Sequence, residues 1–143
     1  MLHEVVEDPA AHSPASLRDA YEAELRAAIE AAGVETVAAE SGVDEATLAA
    51  LVEGDHPDVT LEEAAAVLAT REDVRDAETV VSTVRDHLLM GMATGVLDVD
   101  TVAANVDLDR SGREIQQALE GRAPMTLAEL AEIHRFVAER NDR

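Results

Sequence analysis

Leu17, Tyr21, Leu25 and Ile29 recur every four residues, with Ala28 and Ala32 beside them, and so predict one apolar face of a helix. Ser13-Pro14 marks its start: a capping residue followed by proline at the first helical position, where the missing N–H costs nothing. Gly33 marks its end. A short helix over residues 35–41 follows, closed by Gly42, where a positive φ is expected. Asp44 is placed to cap a third helix with apolar positions Leu48, Leu51 and Val52, which Gly54 terminates. After a turn containing Pro57, Thr60 and Glu63 have capping-box spacing, and the helix they start carries Leu61, Ala64, Val67 and Leu68.

The pattern then repeats. A long helix over residues 73–94 carries Val74, Ala77, Val81, Val84, Leu88 and Met92 and ends near Gly95. Thr101-Val102-Ala103-Ala104 matches Thr36-Val37-Ala38-Ala39 at a shift of 65 residues, and Leu108-Asp109 matches Val43-Asp44. Glu120-Gly121 echoes Glu53-Gly54, Pro124 echoes Pro57, and Thr126 with Glu129 repeats the capping box. Matching caps, glycines and prolines in one order predict an internal duplication. The expected organisation is a flexible leader at residues 1–13, a first repeat at 14–70 and a second at 71–143. The fold class is all-α: two tandem four-helix, helix-turn-helix-like repeats packed into one compact unit.

Composition sharpens this. Apolar residues make up 47% of the 143, yet only Tyr21 and Phe136 are aromatic, so the core must be built from Ala, Val and Leu, which favours closely packed helices. The 31 acidic residues face 11 basic ones, all arginine, for a net charge of −20. Such a charge repels itself in dilute buffer and is quietened where salt screens it, over about 3 Å at molar concentration. This balance resembles the halophilic proteins of salt-accumulating haloarchaea. An acidic disordered tail or a nucleic-acid mimic is the rival, disfavoured because the acids alternate with regular apolar positions. Cysteine is absent, which removes disulfides and thiolate metal sites. With no signal-peptide pattern and no apolar run long enough to span a bilayer, a cytoplasmic location without membrane contact is expected.

The first repeat resembles the lambda-repressor-like helix-turn-helix family. The residues that carry the resemblance are Val37-Ala38, Gly42-Val43, Asp44, Gly54, Pro57 and the capped helix from Thr60. The second repeat fits more loosely: Asp107 stands at the turn-glycine position, Gly112 falls inside the expected third helix, and two residues are inserted. The whole chain also resembles an uncharacterised haloarchaeal family with no assigned activity. The resemblance implies a DNA-binding transcriptional regulator whose third helix enters the major groove. In the first repeat that helix offers Glu45, Ala46, Ala49 and Ala50, which suit phosphate and base edges poorly. In the second, residues 109–120 present Arg110, Ser111, Arg113, Gln116 and Gln117, with Arg122 following. Arginine bonds bidentately to guanine and glutamine to adenine. Residues 1–70 carry a net −14 and residues 71–143 a net −6, so basic residues concentrate in the second half. The expected partner is double-stranded DNA, contacted through these six residues. The bland reading pairs the arginines with neighbouring acids. The other functional reading is a degenerate helix-turn-helix used for contact with a protein partner or for homodimer formation, motivated by Ala46, Ala49 and Ala50.

Other chemistry is not evident. His3, His12, His56, His87 and His134 are scattered without metal-site spacing, and His87 and His134 read as core residues. There is no phosphate loop, nucleophile elbow or calcium loop, so no cofactor, metal or enzymatic activity is expected.

Overall fold

Most helices begin where a side-chain oxygen meets the amides that a first turn leaves unpaired. Ser13 accepts from the Ser16 amide at 3.1 Å, and Asp76 and Asp98 accept from the Thr79 and Thr101 amides at 2.7 Å. Thr60 with Glu63, Ser111 with Glu114 and Thr126 with Glu129 form complete capping boxes. In the computed structural model, which describes residues 2–74 and 76–142, the resulting helices are α1 (Pro14–Ala32), α2 (Val34–Ser41), α3 (Glu45–Val52), α4 (Leu61–Leu68), α5 (Ala77–Thr94), α6 (Val99–Asn105), α7 (Gly112–Leu119) and α8 (Leu127–Asn141). Met1, in the expected leader, Arg75, in the expected long helix, and Arg143, at the end of the expected second repeat, lie outside the described residues. Among those residues there is no strand, only one isolated antiparallel bridge between Thr60 and Thr126. The fold is all-α and compact.

The bridge sits where α4 and α8 start side by side. The Leu61 amide donates to the Met125 carbonyl at 2.7 Å, and the Leu127 amide donates to the Val59 carbonyl at 2.8 Å. Val59, Leu61, Met125 and Leu127 are buried around this crossing. From it the packing runs outward in matched pairs: α1 lies on α8 and α4, and α5 lies on α4 and α8. Beyond these, α2 packs on α3 and α4, α6 packs on α7 and α8, α3 reaches α1 and α7 reaches α5. Exchanging α1–α4 for α5–α8 turns each of these pairings into another of them. The buried residues of all eight helices join in one hydrophobic cluster.

Several expectations change. Within the expected leader, Leu2 is fully buried, two 3-10 turns (Leu2–Glu4 and Pro9–Ala11) lie against α5 and α8, and Arg135 donates to the His12 carbonyl at 3.1 Å. Asp44 precedes α3 without a side-chain cap bond, and Val52 is exposed at its end. The long helix starts at Ala77, after its Asp76 cap, and turns Val80 rather than Val81 into the core. The third helix of the second half starts at Gly112 instead of near Asp109, because Ser111 is its cap. Gly42 has the expected left-handed backbone, at φ 76°.

Gly112 is therefore no interruption of α7 but its first residue, buried where α7 approaches α6. A Cβ there would meet the Asp100 carboxylate and come within 3.2 Å of the Asp100 Cα. Because the second obstacle is backbone, relief requires the two helices to part. Gly112→Ala should thus lower stability by about 1–3 kcal/mol, although Gly→Ala in a helix is ordinarily favourable. Chemical denaturation in molar KCl checks this, and an unchanged or higher midpoint would show the approach to be looser than described.

Candidate functional site

Helix α7 is sharply two-sided. Gly112, Ile115, Ala118 and Leu119 are buried, and this spacing leaves Arg113 and Gln116 on the outer face one turn apart. The six residues expected to touch DNA do not share one fate. Arg110 forms an ion pair with Glu129, which also accepts from the Thr126 amide at 2.9 Å, so this arginine is tied to the cap of α8. Ser111 is consumed as a cap: its hydroxyl accepts from the Glu114 amide at 3.2 Å, while its own amide donates to the Glu114 carboxylate at 3.0 Å. These bonds to Ser111 hold the Glu114 carboxyl below its ordinary range. Gln117 is half-buried, and its carbonyl accepts from the Arg122 and Ala123 amides. Arg122 is 74% exposed, with Glu120 at 4.0 Å.

Arg113 stands apart. Of the nine described arginines it alone has no hydrogen bond, ion pair or ring contact with a described residue. Arg18, Arg71, Arg85, Arg110, Arg122 and Arg135 each meet a carboxylate. Arg26 donates to the Leu51 carbonyl, and Arg140 lies over the Phe136 ring. Gln116, beside Arg113, also has its side chain unengaged and exposed. The corresponding helix α3 exposes Glu45, Ala46, Val52 and Glu53, with Thr47, Ala49 and Ala50 half-covered, so it presents no arginine or glutamine. Exposed apolar side chains gather instead toward the end of α5, at Leu89, Met90 and Val96. Val96 is 89% exposed with a left-handed φ of 53°, a conformation a β-branched residue takes only under strain.

A second region was invisible in the sequence. His3, His87 and His134, from the N-terminal turn, α5 and α8, come together: the ring centres of His3 and His87 are 4.6 Å apart and those of His87 and His134 5.7 Å apart. They are not scattered, and of the two expected in the core only His134 is buried, while His87 is exposed. Tyr21 of α1 holds His134 through a 2.6 Å bond between its hydroxyl and Nδ1. Burial, reinforced by His87 and His3, pushes the His134 imidazole down to about 4, and burial pushes the Tyr21 hydroxyl up, so both are neutral at ordinary pH. His134 Nε2 and His3 Nδ1 are buried with no hydrogen-bond partner. Beside them opens a cavity of about 570 Å³, walled by Met90, Gly91, Val137 and Asn141, with Glu4, Glu7 and Asp142 also lining it. His56 makes a different contact. Its Nδ1 is 2.6 Å from the carboxylate of Glu22, which is 1% exposed, and Asp19 is 3.8 Å away. Arg18 also bonds Glu22 and donates to the His56 and Pro57 carbonyls, so this group ties the turn before α4 to α1. Nothing in residue spacing announces either cluster, because its members meet only through packing between distant helices.

A model for a family described as "Family of unknown function (DUF5791)" matches residues 17–140. No curated protein and no solved structure matches the chain. No described helix is long and apolar enough to cross a membrane.

The division of α7 into structural and free residues can be measured. Ser111→Ala should cost about 1 kcal/mol as a lost N-cap, whereas Arg113→Ala should change stability by less than about 0.5 kcal/mol as an unengaged surface residue. Denaturation midpoints in molar KCl separate the two, and equal losses would contradict the assignment.

Proposed function

The chain belongs to DUF5791, a family of unknown function whose membership brings no activity with it, and we propose that it is a helix-turn-helix regulator that contacts double-stranded DNA through α7. The observation that carries this reading is Arg113. In a chain with 31 acidic side chains, an arginine without a partner among the described residues, on an outer helix face next to an unengaged Gln116, suits a ligand that supplies acceptors. Arginine pairs with guanine and glutamine with adenine in the major groove, and exposed Arg122 is placed in the following turn for a phosphate. Arg110 and Ser111 leave the list of contacts, since both are occupied within the fold. Helices α6 and α7 then serve as the two members of the motif. The exchange of pairings between α1–α4 and α5–α8 supports two repeats at residues 14–70 and 71–143, of which only the second keeps reading chemistry.

On this reading the protein works in a salt-rich cytoplasm. One arginine against a phosphate releases few counterions, giving a log–log salt slope of about −1. Binding of that kind is modest but survives high salt better than binding through a broad basic patch. Exposed Leu89, Met90 and Val96 favour a second reading, in which the end of α5 receives a protein partner or another copy of the chain.

Arg113→Ala combined with Gln116→Ala should weaken binding to a selected duplex by about 30-fold or more, at 1–3 kcal/mol for each of the two lost base contacts. Mobility-shift assays on genomic fragments in molar KCl provide the test. A wild-type chain that shifts no fragment would end the DNA reading.

A further inference from the structure

We propose that the cavity between the N-terminal turn, α5 and α8 is a binding site for a borderline divalent transition-metal ion of the Zn²⁺ or Co²⁺ type, held by His3, His87 and His134. The proposal stands independently of DNA binding.

The first ground is chemical. Buried polar atoms are almost always satisfied, yet His134 Nε2, on a side chain only 2% exposed, and His3 Nδ1 have no partner. Both are imidazole nitrogens, and a neutral imidazole is the form that donates a lone pair to a metal. In the tautomer whose His134 Nδ1–H donates to the Tyr21 oxygen, Nε2 holds the lone pair for a cation, and the Tyr21 bond fixes the ring as an outer-shell partner fixes a ligating histidine. Imidazole ligands select Zn²⁺, Co²⁺ and their neighbours over Mg²⁺ and Ca²⁺.

The second ground is geometric. Metal–nitrogen bonds of about 2.0–2.1 Å place the ring centres of ligating imidazoles on the order of 5 Å apart. The centres here are separated by 4.6 and 5.7 Å. The rings do not yet converge on one point. His87, however, is exposed on the outer side of α5 and makes no hydrogen bond, so it can turn toward the other two at small cost. A fourth position is open to water or to a carboxylate that lines the cavity, Glu4 among them. Glu7 and Asp142 add negative potential at the same cavity, which draws cations in. The cluster of Asp19, Glu22 and His56 has its ligand atoms within 4.8 Å of one another, but a cation there would meet the Arg18 guanidinium already bonded to Glu22.

Titrating Co²⁺ into the full chain in chelator-treated molar KCl, with excess Mg²⁺ to occupy surface carboxylates, tests the site through visible absorption. The expected result is saturation at one equivalent, an intense spectrum of four-coordinate nitrogen-rich ligation, and displacement by Zn²⁺. His87→Ala and His3→Ala, checked for folding by circular dichroism, should each weaken binding at least tenfold, and His56→Ala should leave it unchanged. No saturable binding, wild-type affinity in either of the first two variants, or loss of binding in His56→Ala would each overturn the proposal.

Discussion

The rest of the structure hangs on the crossing of the two chain segments that start α4 and α8. A helix start leaves its first amides without partners inside the helix, and here each is met by a specific atom. The Thr60 and Thr126 hydroxyls take the third-position amides, and the Glu63 and Glu129 carboxylates take the amides of the capping residues. The first-position amides of Leu61 and Leu127 go across the crossing, to the carbonyls of Met125 and Val59. Neither helix start is complete without the other. The same reciprocity continues outward, since α1 lies against α8 and α5 against α4. The two halves of the chain share one core, which explains how small helices with almost no aromatic side chains bury enough surface to hold together.

Charge is distributed around that core by pairing. Arginines fasten loops and caps: Arg18 holds the turn before α4, Arg110 holds the cap of α8, and Arg85 reaches both Glu62 and the Ala118 carbonyl at the end of α7. An acidic chain without lysine thus uses most of its few cations as internal ties. Arg113 is outside this scheme, which makes the outer face of α7 the place where electrostatics points away from the protein. The histidine cavity lies in a different part of the fold, against α5, α8 and the N-terminal turns, and its chemistry is that of imidazoles.

Local signals were legible in the sequence. The capping boxes at Thr60 and Thr126, the start at Ser13-Pro14, the stops at Gly33 and Gly42 and the apolar stripe from Leu17 to Ile29 each reside within a few neighbouring residues, and periodicity exposes them. Ser111 read as a contact residue, although Ser111 and Glu114 have the same local capping-box spacing as Thr60 and Glu63, and that signal was passed over. What depends on distant neighbours was not legible. Arg110 looked available until α8 brought Glu129 against it. Leu2, in a segment polar enough to read as a tail, is drawn into the core, and His3, His87 and His134 meet only because α5, α8 and the N-terminus pack together. The candidate α7 face was therefore half legible and the cavity not at all.

Native-state hydrogen exchange at the Leu61 and Leu127 amides examines the crossing most directly. If each half completes the other, the two amides exchange only through global unfolding and with the same free energy, which matches that from denaturation. Exchange of one amide through a cheaper opening, with the other still protected, would mean that the halves are separate bundles and would remove the shared core on which the structure rests.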